Sequence, residues 1–152
     1  MIRPYQPEDL DAVVEVFLEA IRQTASKDYA PVQVEAWAQV DRDLWRHRRL
    51  ERPTWVVEMD GKAVAFTDLE PDGHIDMLYV HPGYGRSGLA KRLLDAVEER
   101  AHQLGITRIY SEACATARSN FERAGFVVVA PETVSRNGQE FIRFRMQKII
   151  GA

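Results

Sequence analysis

The chain has 152 residues, 45% of them hydrophobic and 28% charged, with a net charge of −3. That length suffices for a hydrophobic core and predicts one domain over 1–152. The weak negative charge excludes an overall basic field for nucleic acid or anionic membrane, and the single cysteine, Cys114, excludes an internal disulfide. In chain order, Ile2 to Tyr5 reads as a strand, and Pro7-Glu8-Asp9 opens a helix at its positive dipole end. Leu10, Val13, Val14, Phe17, Leu18 and Ile21 form one apolar stripe at helical spacing. A break at 26–31 precedes a second helical region, with Val34, Trp37, Ala38, Leu44 and Trp45 as its inward residues. Thr54 to Met59 and Lys62 to Leu69 pair across Asp60-Gly61, a hairpin signal, and Pro71-Asp72-Gly73 turns the chain into a strand from His74 to Val80. A helix follows from Ser87 to Leu104, then a strand from Arg108 to Ala113. A short helix runs from Thr116 to Ala124 and a strand from Phe126 to Ala130. A last strand covers Phe141 to Ile149, after the Asn137-Gly138 turn. In that strand Ile142, Phe144 and Met146 alternate with Arg143, Arg145 and Gln147, which predicts one wet face.

The order β-α-α-β-β-β-α-β-α-β-β contains one parallel crossover between antiparallel hairpins. It predicts an α/β (α+β) fold: a central mixed β-sheet flanked by helices. No apolar run approaches the roughly 20 residues of a membrane helix, and the N-terminus lacks the pattern of a signal peptide. With one cysteine, these features predict a cytoplasmic protein without a membrane partner. Arg42, Arg46, Arg48, Arg49 and Arg52 lie among Asp41, Asp43 and Glu51, which reads as a solvated helix face and not a nucleic-acid patch.

The segment Gly83-Tyr84-Gly85-Arg86-Ser87-Gly88 joins a strand to a helix, where free amides and the helix dipole suit an anion. A nucleotide P-loop needs Lys-Ser or Lys-Thr after the last glycine, and Leu89-Ala90 stands there instead. GxGxxG also matches a dinucleotide fingerprint. However, His81-Pro82 separates the strand from the glycines, and the 40 residues after Glu112 leave no room for a doubly wound sheet.

Two further motifs stand in order around the next strand. Gly85-Arg86-Ser87-Gly88-Leu89-Ala90 follows Val80-His81-Pro82, and Phe121-Glu122-Arg123-Ala124-Gly125-Phe126 follows Ala117. Together they resemble the acyl-coenzyme A site of the GNAT N-acetyltransferase family over nearly the whole chain. Tyr5-Gln6-Pro7, Ala36-Trp37-Ala38-Gln39 and Ile75-Asp76-Met77-Leu78 resemble its YafP-like branch. The resemblance implies the GNAT acyl-CoA N-acyltransferase fold. It also implies acetyl-CoA as co-substrate, no metal, and acetyl transfer to a primary amine, small molecule or peptide, by direct attack in a ternary complex. It places the pyrophosphate on Gly85, Arg86, Ser87, Gly88, Leu89 and Ala90, and the pantetheine arm along Leu78, Tyr79 and Val80. An amide near Leu78 or Tyr79 would polarise the thioester carbonyl. Tyr29 and Trp37 would touch the acceptor. Because the family often pairs, a homodimer is consistent with it.

The chain departs from the family pattern at Gly85, where the family has Gln or Arg, and at Cys114, where many members have asparagine. Phe121 replaces a tyrosine that protonates the departing thiolate, so water, Tyr79 or Tyr84 would take that role. Phe121 also motivates a second reading, a non-catalytic acyl-CoA-binding or sensing module. The first candidate for the base is Asp76 and the second His74, two apart on the strand and on one face in the absence of a bulge. His81 reads as a turn residue, Glu112 as a strand-end acid, and Trp45 and Trp55 as core aromatics. Cys114 reads as a small buried hydrophobe, with an acyl-cysteine as the alternative.

Overall fold

Two half-sheets meet at a single point. The computed structural model describes residues 1–85 and 87–151, with every side chain among them except those of Thr24 and Ala25. The first half-sheet has the order β1-β2-β3-β4: β1 (Ile2–Pro4), β2 (Thr54–Met59), β3 (Lys62–Asp68) and β4 (Leu78–Val80). The second has the order β5-β7-β6: β5 (Arg108–Cys114), β6 (Val127–Arg136) and β7 (Gln139–Ile149). All pairings within both are antiparallel. The halves join through one parallel bridge, His74 to Tyr110, where the amide of Ile75 donates to Tyr110 O and that of Tyr110 to Gly73 O. Among the described residues no ladder continues from there, so β4 and β5 diverge.

The helices are α1 (Leu10–Glu19), α2 (Pro31–Trp37), α3 (Arg42–Glu51), α4 (Leu89–Gln103) and α5 (Arg118–Arg123). The second helical region is thus two helices. The chain leaves helical backbone at Ala38 (φ −75°, ψ 58°), and Asp41 caps α3 by accepting the Leu44 amide. Restarting the helix turns its face, so Trp45 is buried and Leu44, expected inside, is exposed. The α1 stripe is buried as expected, with Leu18 only partly covered, and it packs with Val34, Trp45 and Phe66 into one cluster. Val97, Ala101, Ile109, Phe121 and Met146 lie in a second cluster beneath α4 and α5. Every side chain of β3 after Lys62 is buried, because helices cover both faces of this half-sheet.

The final hairpin is longer than its apolar pattern suggested, β6 running on to Arg136. β7 also lacks the wholly wet face expected of it. Phe141, in phase with Arg143, is buried against Tyr29 and Trp37, while Ile142 on the other face is exposed. The α2 region covers the start of that face, and alternation inside one strand carries no trace of such a distant partner. The hairpin tip is fastened to α2 by Asn137 Nδ2 donating to Ala36 O (2.6 Å) and Gln33 Nε2 donating to Glu140 O (2.8 Å).

Candidate active site

The expected strand from His74 to Val80 is a strand only from Leu78. Asp68, the last residue of β3, is the cause. Its Oδ1 accepts the amides of Asp76 (2.9 Å) and Met77 (3.1 Å), and Thr67 Oγ1 donates to Met77 O (2.8 Å). Side chains thereby take the groups that a β3–β4 ladder would have used. Asp68 is wholly buried and meets Arg49 Nη2 at 2.9 Å and Arg52 Nη1 at 3.5 Å, so two cations and two amides surround its carboxylate. Arg49 and Arg52 therefore belong to the interior and not to a solvated helix face. Arg42 and Arg46 pair with Asp11 and Asp43 at the surface.

Among the described residues β4 pairs only with β3, in a register where His81 N donates to Val64 O. Alternation in an antiparallel ladder then turns Tyr79 toward Phe66 and leaves the amides and carbonyls of Leu78 and Val80 on the open edge. Between this edge and α5 runs a groove of about 550 Å³. Its lining includes Leu78, Tyr79, Val80, Gly85, Ser87, Gly88, Leu89 and Ala90; Arg86 lies outside the described residues. Gly88 is the N-cap of α4 in the left-handed region (φ 76°) and brings no capping side chain, so the first amides of α4 have no partner from the cap. Lys27, Lys91 and Arg123 also line the groove, and no carboxylate does among the described residues. Lys27 and Arg123 went unnoticed in the sequence, because neither belongs to a motif and they come from segments nearly a hundred residues apart.

A smaller cavity, about 100 Å³, continues from the groove between β4, β5 and β7. Tyr29, Asp76, Glu112 and Phe121 line it, and Trp37, Leu78, Tyr79, Cys114 and Ala117 border both spaces. A third cavity, about 410 Å³, lies beyond Trp37 and shares Trp37, Asp76, Tyr79 and Arg136 with the second. Phe121 is buried on edge against Phe126 (5.1 Å between centroids) and borders the small cavity, not the groove. The Tyr29 hydroxyl accepts from Ala115 N (2.8 Å) and donates to Ile142 O (3.2 Å), joining β5 to β7 behind its ring.

The two carboxylates at the cavity differ in their support. Asp76 Oδ2 is 3.4 Å from Arg52 Nη1. Glu112 takes His74 Nε2 at 2.8 and 3.0 Å, while His74 Nδ1 meets Glu70 at 2.7 Å. Burial works against a charged imidazole, yet the bonds to Glu112 and Glu70 outweigh it and push His74 up to about 9. At neutral pH both ring nitrogens then carry and donate protons, leaving no lone pair for an amine's proton. His74 also lines none of the three cavities, so this geometry counts against its sequence-based candidacy as a base. Glu112, read from sequence as a plain strand-end acid, is the group that reaches the cavity. Its carboxyl is held below its ordinary value by the bond from His74, with Arg143 and Arg136 adding to the effect. Glu70, His74 and Asp76 present ligand atoms within 4.8 Å of one another, and Arg52 bridges Glu70 and Asp76 at 3.2 and 3.4 Å.

Burial raises the Tyr79 phenol well above a tyrosine's ordinary value, which keeps its proton in place. It also pushes the Cys114 thiol up, opposing the activation that a nearby helix start would give.

A groove with unpaired helix amides, three cations and a free strand edge, opening onto an acid-lined cavity, is the arrangement an acyl-coenzyme A would need. Residues 25–148 match the family model described as an acetyltransferase (GNAT) domain. The chain is a member of the GNAT acetyltransferase family. It is 35% identical over 146 residues to the uncharacterised N-acetyltransferase YafP of Escherichia coli K12, covering 96% of this chain and 93% of that protein. A GCN5-related N-acetyltransferase from Rhodopseudomonas palustris superposes with a TM-score of 0.92 at 35% identity, over 98% of this chain and 94% of the other. A putative acetyltransferase from Salmonella typhimurium, yncA, solved with acetyl-CoA, shares the fold at 21% identity with a TM-score of 0.76, over 100% and 94% of the two chains. The GNAT fold expected from the two motifs is therefore the observed one, with its sheet splayed at β4. No helix among the described residues is long and apolar enough to cross a membrane.

Proposed function

We propose that this GNAT acetyltransferase is a cytoplasmic, single-domain enzyme that transfers acetyl from acetyl-CoA to a primary amine by direct attack in a ternary complex. The observation that carries the reading is the junction at Trp37 and Tyr79. There a groove lined by cations and, among the described residues, by no carboxylate opens into a cavity lined by Asp76 and Glu112.

The groove residues divide the work of binding. The amides of Ser87, Gly88, Leu89 and Ala90 face the pyrophosphate at the start of α4, where the helix dipole favours negative charge. Lys27, Lys91 and Arg123 match the remaining phosphate charge. The open edge of β4 pairs with the pantetheine amides. By alternation the oxyanion donor is the amide of Leu78 or Val80, which excludes the Tyr79 amide considered from sequence.

In the transfer step the amine nitrogen forms a bond to the thioester carbonyl carbon, and the carbon–sulfur bond then breaks. Asp76 borders both acceptor-side cavities and takes the amine's proton, directly or through one water. Tyr79 gives a proton to the departing thiolate in place of the absent tyrosine at Phe121. It borders the groove and the small cavity alike, whereas Tyr84 borders only the groove. Cys114 remains a partly buried thiol, without an acyl-enzyme.

The decisive experiment follows thiol release from acetyl-CoA with a panel of small amines, amino acids and peptides, alongside calorimetric binding of acetyl-CoA. Amine-dependent release supports the reading. Phe121 favours one other reading, a binding or sensing module, and tight acetyl-CoA binding without turnover on any amine would establish it.

A further inference from the structure

The two acceptor-side cavities carry balanced charge. Their described linings hold three carboxylates, Asp41, Asp76 and Glu112, and three guanidiniums, Arg48, Arg136 and Arg143. A site for a plain amine needs only the negative groups, and surplus arginines there would repel an ammonium. Two of these arginines are also unspent. Arg143 Nε bonds Glu132 at 2.6 Å, but among the described residues Arg48 and Arg136 make neither an ion pair nor a side-chain hydrogen bond. Most of the other arginines in the chain are paired with an acid.

The acids are held differently. Asp76 is backed by Arg52 and Glu112 by His74, and neither backing cation lines a cavity. Those cations hold the two carboxylates in place while leaving the cavity side free of their own charge. Arg136 lines the same spaces and acts electrostatically on Glu112 and on Tyr79. The Asn137 bond to Ala36 fastens the neighbouring turn to α2, so Arg136 projects from an anchored tip and not a loose loop.

Resting on the N-acetyltransferase reading, we infer that the acceptor is an amino acid: its ammonium is received between Asp76 and Glu112, and its carboxylate is held by Arg136, with Arg48 as a second anion contact. The positive end of the pocket then selects against amines that lack an anionic group, and the ammonium end lies beside Tyr79, where the groove delivers the acetyl group.

The test compares each L-amino acid, and a set of β- and γ-amino acids, with its own carboxamide in the thiol-release assay at saturating acetyl-CoA. The best amino acid is expected to exceed its carboxamide at least about tenfold in kcat/KM, as a charge-assisted contact would give. Arg136→Gln should raise KM for that amino acid by a similar factor with kcat changed far less, and should shift the carboxamide's kcat/KM by much less than the amino acid's. Arg136→Lys should restore part of the loss. Arg136 is exposed and without side-chain partners among the described residues, so these variants are expected to fold, as circular dichroism would verify. Equal use of acids and carboxamides, or an equal effect of Arg136→Gln on both, overturns the inference while leaving N-acetyl transfer standing. If neither series releases thiol although acetyl-CoA binds, the transfer reading falls, and this inference with it.

Discussion

At the scale of single residues, the proposed mechanism gives Tyr79 the proton-donor role for which Phe121 has no hydroxyl. Phe121 has no proton to give, and it is packed into the core beneath α5. Burial makes the Tyr79 phenol a weaker acid than an ordinary tyrosine, and its place where the groove meets the cavity is what supports the role. Tyr79→Phe is expected to lower kcat by roughly 10²- to 10⁴-fold, the range for losing a general acid, with acetyl-CoA affinity little changed. A thiolate is a good leaving group, so the lower end of that range is expected. Cys114 supplies the converse prediction. An acyl-enzyme needs a thiolate, and burial holds this group as the thiol. Cys114→Ala should keep kcat/KM within about threefold, because direct transfer asks nothing of that sulfur. A loss of about a thousandfold with ping-pong kinetics would instead establish the acyl-cysteine route.

At the scale of elements, the site depends on how a strand is interrupted. Asp68 diverts the amides of Asp76 and Met77, so β4 starts late and Asp76 turns toward the cavities. Just before that interruption, the turn holding Gly73 touches β5. A Cβ at Gly73, which has φ 98°, would lie 2.2 Å from Arg108 O, so only glycine permits this approach. The Glu70–His74–Glu112 clamp crosses the same junction and ties the β3–β4 connection to β5. It also makes stability depend on pH. The folded-state value of His74, about 9, lies above an ordinary imidazole's 6.5. Its contribution is therefore complete below about pH 6.5 and is lost as pH rises through about 9. Urea unfolding midpoints should fall between these limits more steeply for the wild type than for His74→Gln, and parallel curves would refute a charged clamp.

At the scale of the whole molecule, charge is sorted by compartment. A chain of net charge −3 keeps carboxylates out of the described groove lining and gathers them, together with arginines, in the acceptor-side cavities. Arg123→Glu should weaken acetyl-CoA binding roughly tenfold at low ionic strength, and the gap should narrow as salt screens an exposed pair. Calorimetric titrations at two salt concentrations check this, and an unchanged affinity would remove Arg123 from the site. The turn at Gly88, the order of strands and helices around it, and the Asp60-Gly61 and Asn137-Gly138 hairpins were legible in the chain itself, because each rests on contacts between near neighbours in sequence. The family resemblance likewise lay in short contiguous motifs. The late start of β4, the reversed face of Leu44, the protonated clamp at His74, the cavity role of Glu112 and the cations at Lys27 and Arg123 depended on tertiary structure. Local spacing determines backbone geometry over a few residues. Charge state, burial and the lining of a cavity depend on which distant segments face one another, and those partners are chosen only when the half-sheets meet and the helices close over them.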